Sequence, residues 1–369
     1  MKIVIDDKIP FIRGVLEPFA DVLYLPGSRI TPADVHDADA LIVRTRTKCN
    51  SALLANSAVK VVATATIGFD HINTAELDAL GIRWFNAPGC NAASVKNYIA
   101  SALANLPLDL ENKTLGIIGV GNVGKLVADV GRAFNMRVLL NDPPRADKEG
   151  KAAFTDLPEL LQLSDVVTAH VPLETGGAYP TVNMADEKFF SAMKDGAYFF
   201  NSCRGEIIVP SALKSALRNG KPAGALLDVW PAEPNLDPEL VELVKFGTPH
   251  IAGYSKDGKA NGTAMAVQVI AEFFGIDALR YWRPDILPPP VYPVEITLPP
   301  NLSRRQQLNA AILHAYDIMN DVKQLYADVQ NFEQHRGSYW NRREFHAFTV
   351  TGASPETQPA LRLLGFNVK

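Results

Sequence analysis

The sequence predicts an α/β protein of two doubly wound parallel-sheet domains followed by a small C-terminal α+β domain. Three observations carry this expectation. Short apolar runs alternate with helix-compatible segments from Met1 to about Ala93, the same alternation restarts after Ser94, and beyond Ala278 prolines interrupt any regular element. The chain has 369 residues, too many for one ordinary core.

In the first block the strand candidates are Lys2–Ile5, Val22–Leu25, Ala40–Val43, Lys60–Thr66 and Ile82–Asn86. Ser94–Leu106 reads as a connecting helix. The second block supplies a strand from Lys113, then Arg137–Leu140, Asp165–Val171, Ala197–Asn201 and Ala223–Val229. The apolar helix Gly262–Phe274 is placed to carry the chain back to the first domain. The expected division is a substrate-binding domain over 1–93, completed by about 255–280, a nucleotide-binding domain over 94–254, and a third domain over 281–369.

That third part begins with an extended arm carrying Pro284, Pro288, Pro289, Pro290, Pro293, Pro299 and Pro300. Ser303 then caps one long helix in which Leu308, Ile312, Ala315, Met319, Val322, Tyr326 and Val329 recur at three- and four-residue steps. Phe345–Val350 reads as a strand. A single apolar stripe in about 90 residues needs a covering surface, so homodimerisation through this domain is expected, the alternative being that the stripe packs on its own chain.

The most specific motif is Lys113–Gly124, an apolar strand running into Gly119-x-Gly121-x-x-Gly124 and a helix-compatible run. Gly119 permits the tight turn, Gly121 removes the Cβ that would block a pyrophosphate, and Gly124 lets helix and strand pack closely. The unpaired amides of the helix N-terminus face the phosphates. The strand Arg137–Leu140 ends at Asn141-Asp142, which sets a carboxylate where a ribose 2′-hydroxyl needs an acceptor. The cofactor is therefore expected to be NAD, with Arg145 keeping NADP open. Both large domains are expected to be Rossmann-like or flavodoxin-like.

Composition excludes several classes. Lys plus Arg total 36 against 40 Asp plus Glu, so no basic stripe for nucleic acid is expected. Cys49, Cys90 and Cys203 are scattered and odd in number, which suggests neither a disulfide framework nor a metal site and fits a reducing cytoplasm. No run approaches the roughly 20 apolar residues of a membrane span, and the first residues enter a strand without a secretory pattern.

Three segments follow apolar strands with polar residues: Asn201–Glu206, Asp228–Pro234 and Thr248–Tyr254. In doubly wound sheets the carboxyl ends of strands line the ligand crevice. Oxidising an alcohol by hydride loss needs a base, and His250 is suited to it. Glu233 would stabilise the imidazolium, and Arg204 offers a planar fork for a substrate carboxylate. His170 and His71 lack an acid placed to tune them and read as packing or backbone support. Cys203 has no evident base, so a nucleophilic role is not indicated.

These residues resemble the D-isomer-specific 2-hydroxyacid dehydrogenase family, whose members carry Arg, Glu and His in this order behind a GxGxxG. The likeness spans most of residues 40 to 275 and includes Thr66–Ile72, Asn86–Asn91 with Ser94-Val95, and His170–Leu173. It implies that Arg204 holds carboxylate and reacting oxygen, that His250 is the acid/base, and that Glu233 orients it. Asp142–Asp147, Pro249–Tyr254 and the distinct tail are similar to the branch that oxidises 4-phospho-D-erythronate with NAD in the vitamin B6 pathway. Carried over, Thr45, Thr66 and Tyr254 contact substrate. Gly119, Gly121, Asn122, Val123, Gly124, Asp142, Val171, Ser202, Cys203, Arg204, Asp228 and Gly253 border the cofactor. Thr45 stands where the family leads one to expect serine, and Val171 where it leads one to expect threonine, so Val171 offers only backbone.

A phosphorylated substrate needs a further cation. Arg44 and Arg46 flank Thr45 after a strand and are the candidates, although pleat alternation should turn only one of them inward. Lys48 and Lys256 are further candidates. The competing readings are another dehydrogenase of the family, such as one acting on phosphoglycerate, and a non-catalytic NAD(H)-sensing scaffold.

Overall fold

The apolar runs of the N-terminal block form β1 (Lys2–Asp6), β2 (Asp21–Leu25), β3 (Ala40–Val43), β4 (Val61–Thr64) and β5 (Arg83–Phe85). They pair in parallel in the order β2-β1-β3-β4-β5. The computed structural model describes residues 1–286, 293–339 and 342–369; Pro288, Pro289, Pro290 and Trp340 lie outside the described residues. Alternate side chains of the central strands serve opposite faces. Ile3, Ile5 and Ile42 pack with Val267 and Ile270 of the helix Lys256–Phe274, while Val4, Leu41 and Val43 pack with Leu53, Leu54 and Leu77. Continuous apolar strands are what a sheet covered on both faces requires.

The second sheet contains β6 (Thr114–Ile118), β7 (Arg137–Asn141), β8 (Val166–Ala169), β9 (Tyr198–Asn201), β10 (Gly224–Leu227) and β11 (Phe246–Gly247), parallel in the order β11-β10-β9-β8-β6-β7. The order reverses between β6 and β8, which makes the turn after β6 the switch point where ligands bind in such sheets. One strand, not the two of the 3-2-1-4-5-6 order, lies beyond β6. The Thr155 amide donates to Leu140 O at 2.6 Å beside β7, a single bond where a third strand would pair.

A third parallel sheet joins β12 (Glu295–Thr297), β13 (Thr349–Thr351) and β14 (Asn367–Val368). Only β13 was foreseeable, and the expected strand over Phe345–Val350 begins as a 3-10 turn at Phe345–Ala347. By internal packing the chain forms two compact units, Met1–Asn91 with Ser255–Leu287, and Ala92–Tyr254 with Pro288–Lys369.

The long C-terminal helix expected from Ser303 is two helices, Arg304–Ala315 and Ile318–Ala327. Ser303 closes a capping box with Gln306 as anticipated. The chain then leaves helical geometry at Tyr316 (φ −159°, ψ 117°), and Asp317 caps the next helix by accepting the Met319 amide at 3.0 Å. The apolar stripe is also covered differently from the expectation. Leu308, Ile312, Ala315 and Val322 are buried in the core that includes Ile99 and Leu103 of the helix Ala92–Ala104, so most of this stripe packs on its own chain, while Tyr326 stays exposed. Each of the leucine, isoleucine and valine side chains contributes about 1.5–3 kcal/mol on burial. The Ile318 amide donates to Ser101 Oγ at 2.9 Å, which registers the two segments.

Candidate active site

The strand-end loops of the second sheet meet at neighbouring strands. Arg204 follows β9, Asp228 to Glu233 follow β10 and His250 follows β11, and these strands are adjacent. The loops are also fastened to one another. A Cβ at Gly205 would press into the Trp230 carbonyl, so Gly205 lets the Arg204 loop lie directly on the Glu233 loop. Trp230 Nε1 donates to Thr248 O at 2.9 Å, tying the Glu233 loop to the His250 loop.

Glu233 and His250 form the centre of the arrangement. Glu233 Oε2 lies 2.8 Å from His250 Nδ1, and Oε1 accepts the Trp230 amide at 2.8 Å. Burial works against the Glu233 charge, yet the hydrogen bond and charge of His250, the Trp230 amide and the Arg336 guanidinium hold its carboxyl below the ordinary value. An ionised carboxylate only accepts hydrogen bonds, so the neutral imidazole carries its proton on Nδ1 and leaves Nε2 as a base. His250 has φ 55°, a left-handed conformation uncommon for a residue with a side chain. Asp228 holds it there. The buried Asp228 carboxylate accepts Thr248 Oγ1 at 2.7 Å and the amides of Ile251 and Ala252 at 2.7 and 2.9 Å. Burial nevertheless pushes its carboxyl above the ordinary value.

The glycine motif behaves as its spacing predicts. Gly119 has φ 86° and sits against His170 O, Gly124 abuts the Gly119 carbonyl, and a Cβ on Gly121 would meet open space. Gly121 precedes the helix Asn122–Ala133, with Asn122 and Val123 in its first turn. Asp142 stands beside this turn, accepting the Val120 amide at 2.8 Å and capping Pro143–Glu149 through the Arg145 amide at 3.2 Å. Arg145 is engaged rather than waiting for a 2′-phosphate: it grips Glu149 through Nε and Nη2 at 2.7 Å and donates to Val120 O at 2.7 Å.

Two further observations fit a dinucleotide. Ser202 Oγ is buried without a hydrogen-bond partner, and the open face of Gly121 leaves room for phosphates. Cys203 donates to Asn201 Oδ1 and burial pushes its thiol up to about 11, which is wrong for a nucleophile. His170 bonds Thr168 Oγ1 at 2.9 Å and burial pushes it down to about 3, in keeping with a supporting role. Burial likewise lowers His71 to about 4.

Thr45, Thr66, Arg44 and Arg46 belong to the other compact unit. Thr45 and Arg46 are exposed in a bend after β3, while Thr66 Oγ1 lies 2.7 Å from Thr64 Oγ1 and donates to Gly68 O at 2.9 Å. The pleat argument about Arg44 and Arg46 does not apply, because β3 ends at Val43; Arg44 donates to Lys8 O at 3.1 Å. Sequence reasoning missed Arg336, which lies 3.8 Å from Glu233 Oε2, and Arg342, whose guanidinium donates to the carbonyls of Ile251 and Ala252. No sequence spacing signals contacts across 90 to 103 positions.

The family profile for the NAD binding domain of D-isomer specific 2-hydroxyacid dehydrogenases matches residues 91–252, and a domain of unknown function matches 286–365. An erythronate-4-phosphate dehydrogenase of Bacteroides fragilis is 48% identical over 95% of this chain and 99% of its own. The chain belongs to the erythronate-4-phosphate dehydrogenases, within the D-isomer-specific 2-hydroxyacid dehydrogenase family. A second erythronate-4-phosphate dehydrogenase, from Shigella flexneri, is 38% identical over the whole of this chain and 98% of its own. Among solved structures, the D-lactate dehydrogenase of Aquifex aeolicus complexed with NAD and lactic acid has 27% identity and a TM-score of 0.62, covering 75% of this chain and 96% of that one. The NAD-bound 3-phosphoglycerate dehydrogenase of Entamoeba histolytica shares the fold at 24% identity and a TM-score of 0.65, covering 78% of this chain and 99% of that one. Because residues 91–252 match the family's NAD binding domain, the cofactor is NAD.

Proposed function

We propose that the chain oxidises 4-phospho-D-erythronate at C2 to (R)-3-hydroxy-2-oxo-4-phosphooxybutanoate, a step of vitamin B6 synthesis. The observation that carries the reading is the 2.8 Å pairing of His250 Nδ1 with the Glu233 carboxylate at the strand ends. NAD, when bound, accepts the hydride from C2. The chain's own residues supply the rest. His250 Nε2 takes the hydroxyl proton and Glu233 stabilises the imidazolium that results. The Arg204 fork holds the substrate carboxylate beside the reacting carbon.

In this reading Gly119, Gly121, Asn122, Val123, Gly124, Asp142, Val171, Ser202, Cys203, Arg204, Asp228 and Gly253 border the cofactor. Thr45, Thr66 and Tyr254 contact substrate, and Arg44 or Arg46 meets the phosphate. The compact unit from Met1 serves substrate binding, residues 94–254 bind NAD, and 281–369 form an accessory domain. Homodimerisation there rests on Tyr326 and Leu363, large apolar side chains left exposed by that segment. Light scattering of the purified chain tests it, and a monomer mass removes it. Three cysteines outside any disulfide support a reducing cytoplasm, and no helix among the described residues is long and apolar enough to cross a membrane.

A kinetic panel of 4-phosphoerythronate, 3-phosphoglycerate and D-lactate tests the substrate. NADH should form fastest from 4-phosphoerythronate. Equal rates on lactate would remove the phosphate requirement and leave a simpler hydroxyacid dehydrogenase.

A further inference from the structure

Two arginines of the C-terminal segment reach the loops that carry the Glu233–His250 pair. Arg336 sits on the short helix Phe332–Gly337, whose Phe332 is buried in the same core as Trp230, the residue whose amide binds Glu233. Its Nη1 lies 3.8 Å from Glu233 Oε2, the oxygen that also meets His250, and 3.8 Å from Glu333 Oε1. The Tyr254 side chain lies beside the same guanidinium. Its Nε is buried without a hydrogen-bond partner, so the side chain is held near Glu233 although that nitrogen's bonding is not satisfied there. Arg342, fully buried, completes the enclosure. It donates to Ile251 O, Ala252 O and Ser94 Oγ and stacks 4.0 Å over the Tyr316 ring.

We propose that the C-terminal segment is part of the active site, with Arg336 a positioning residue that acts through Glu233 to set His250. The inference rests on the reading of Glu233 and His250 as the proton-handling pair. Its physical basis is a buried charge requirement. The Trp230 amide fixes Oε1 and the imidazole meets Oε2, and a cation beside Oε2 keeps the carboxylate ionised and limits the rotamers it can adopt. At 3.8 Å the attraction is that of charge rather than a bidentate fork, so an ammonium can replace the guanidinium. The segment matches a domain over residues 286–365 that is separate from the family's NAD binding domain over 91–252.

The test is a double-mutant cycle on the full chain, with NADH formation from 4-phosphoerythronate measured at saturating NAD. Arg336→Met should lower kcat roughly tenfold or more with the KM for NAD unchanged, and Arg336→Lys should restore it to within about threefold. In a Glu233→Gln background Arg336→Met should cost less than about twofold, because the group it acts through is gone. Equal losses in both backgrounds would overturn the inference, as would a loss confined to the KM for the phosphorylated substrate, which would mark a direct substrate contact. If Arg336→Met loses its thermal transition, Arg336→Gln takes its place in the same cycle. His250→Ala separates the two levels: turnover surviving that change sinks the reading of the pair, while its loss beside a normal Arg336→Met sinks only the role of Arg336.

Discussion

Asp228 and His250 are joined through the backbone: the His250 amide donates to Asp228 O at 2.8 Å while the Asp228 carboxylate takes the next two amides, those of Ile251 and Ala252. A buried side chain thereby dictates the left-handed turn that presents the imidazole. Asp228→Asn keeps the shape but turns an NH2 toward an N–H or hydroxyl donor. Each lost bond to a buried charged acceptor costs about 1.5–3 kcal/mol, so the midpoint of thermal unfolding should fall by several degrees and turnover with it. An unchanged midpoint would show that the loop is held by other contacts.

The two glycines of the nucleotide turn should separate binding from folding. A Cβ on Gly121 meets no protein atom and φ is −75°, whereas a Cβ on Gly124 would collide with the Gly119 carbonyl. Gly121→Ala should leave the unfolding midpoint unchanged and weaken NAD binding at least tenfold, roughly 1.4 kcal/mol, by titration calorimetry. Gly124→Ala should lower both.

Arg204 and His250 should fail in different ways. His250→Ala is expected to cost about a hundredfold or more in kcat while NAD still binds. Arg204→Lys keeps the charge but not the fork, and kcat/KM should fall severely. Near-normal kinetics for the lysine variant would remove the carboxylate assignment.

His170 gives a pH test whose sign follows from its environment. Burial lowers it to about 3 in the folded chain, from an ordinary value of 6.5, so between these values the unfolded chain binds the extra proton. Stability is fully present above 6.5 and declines as pH falls toward 3, by up to about 1.4 kcal/mol per pH unit from this group. In His170→Gln, denaturant unfolding at pH 6.5 and pH 4.5 should differ less than in the parent chain. An identical difference would assign the acid sensitivity to other groups.

Much of this molecule was legible because the signals are local. An apolar strand must alternate with a covering helix, a tight turn before a helix must be glycine, and a polar residue at the end of a buried strand has few roles. Those rules located most of the strands of the two large sheets, the nucleotide turn, and Arg204, Glu233 and His250 as a set. They failed where the deciding contact is remote. Asp317 interrupts the C-terminal helix although its neighbours keep a helical period, because it caps the following helix and the buried Tyr316 bonds Asp321 Oδ2 at 2.6 Å. β12 and β14 have three and two residues, too short to leave a pattern.

The sequence by itself determined the side-chain types at the ends of the buried strands and their order along the chain, since strand ends and side-chain types are local properties. Only the tertiary structure decided which carboxylate oxygen meets which imidazole nitrogen, that most of the apolar stripe is covered from within, and that Arg336 reaches Glu233 and Arg342 the His250 loop. The physical reason is that Coulomb attraction and hydrogen bonding act over a few ångströms of space and are indifferent to the 103 positions between Glu233 and Arg336 in the sequence.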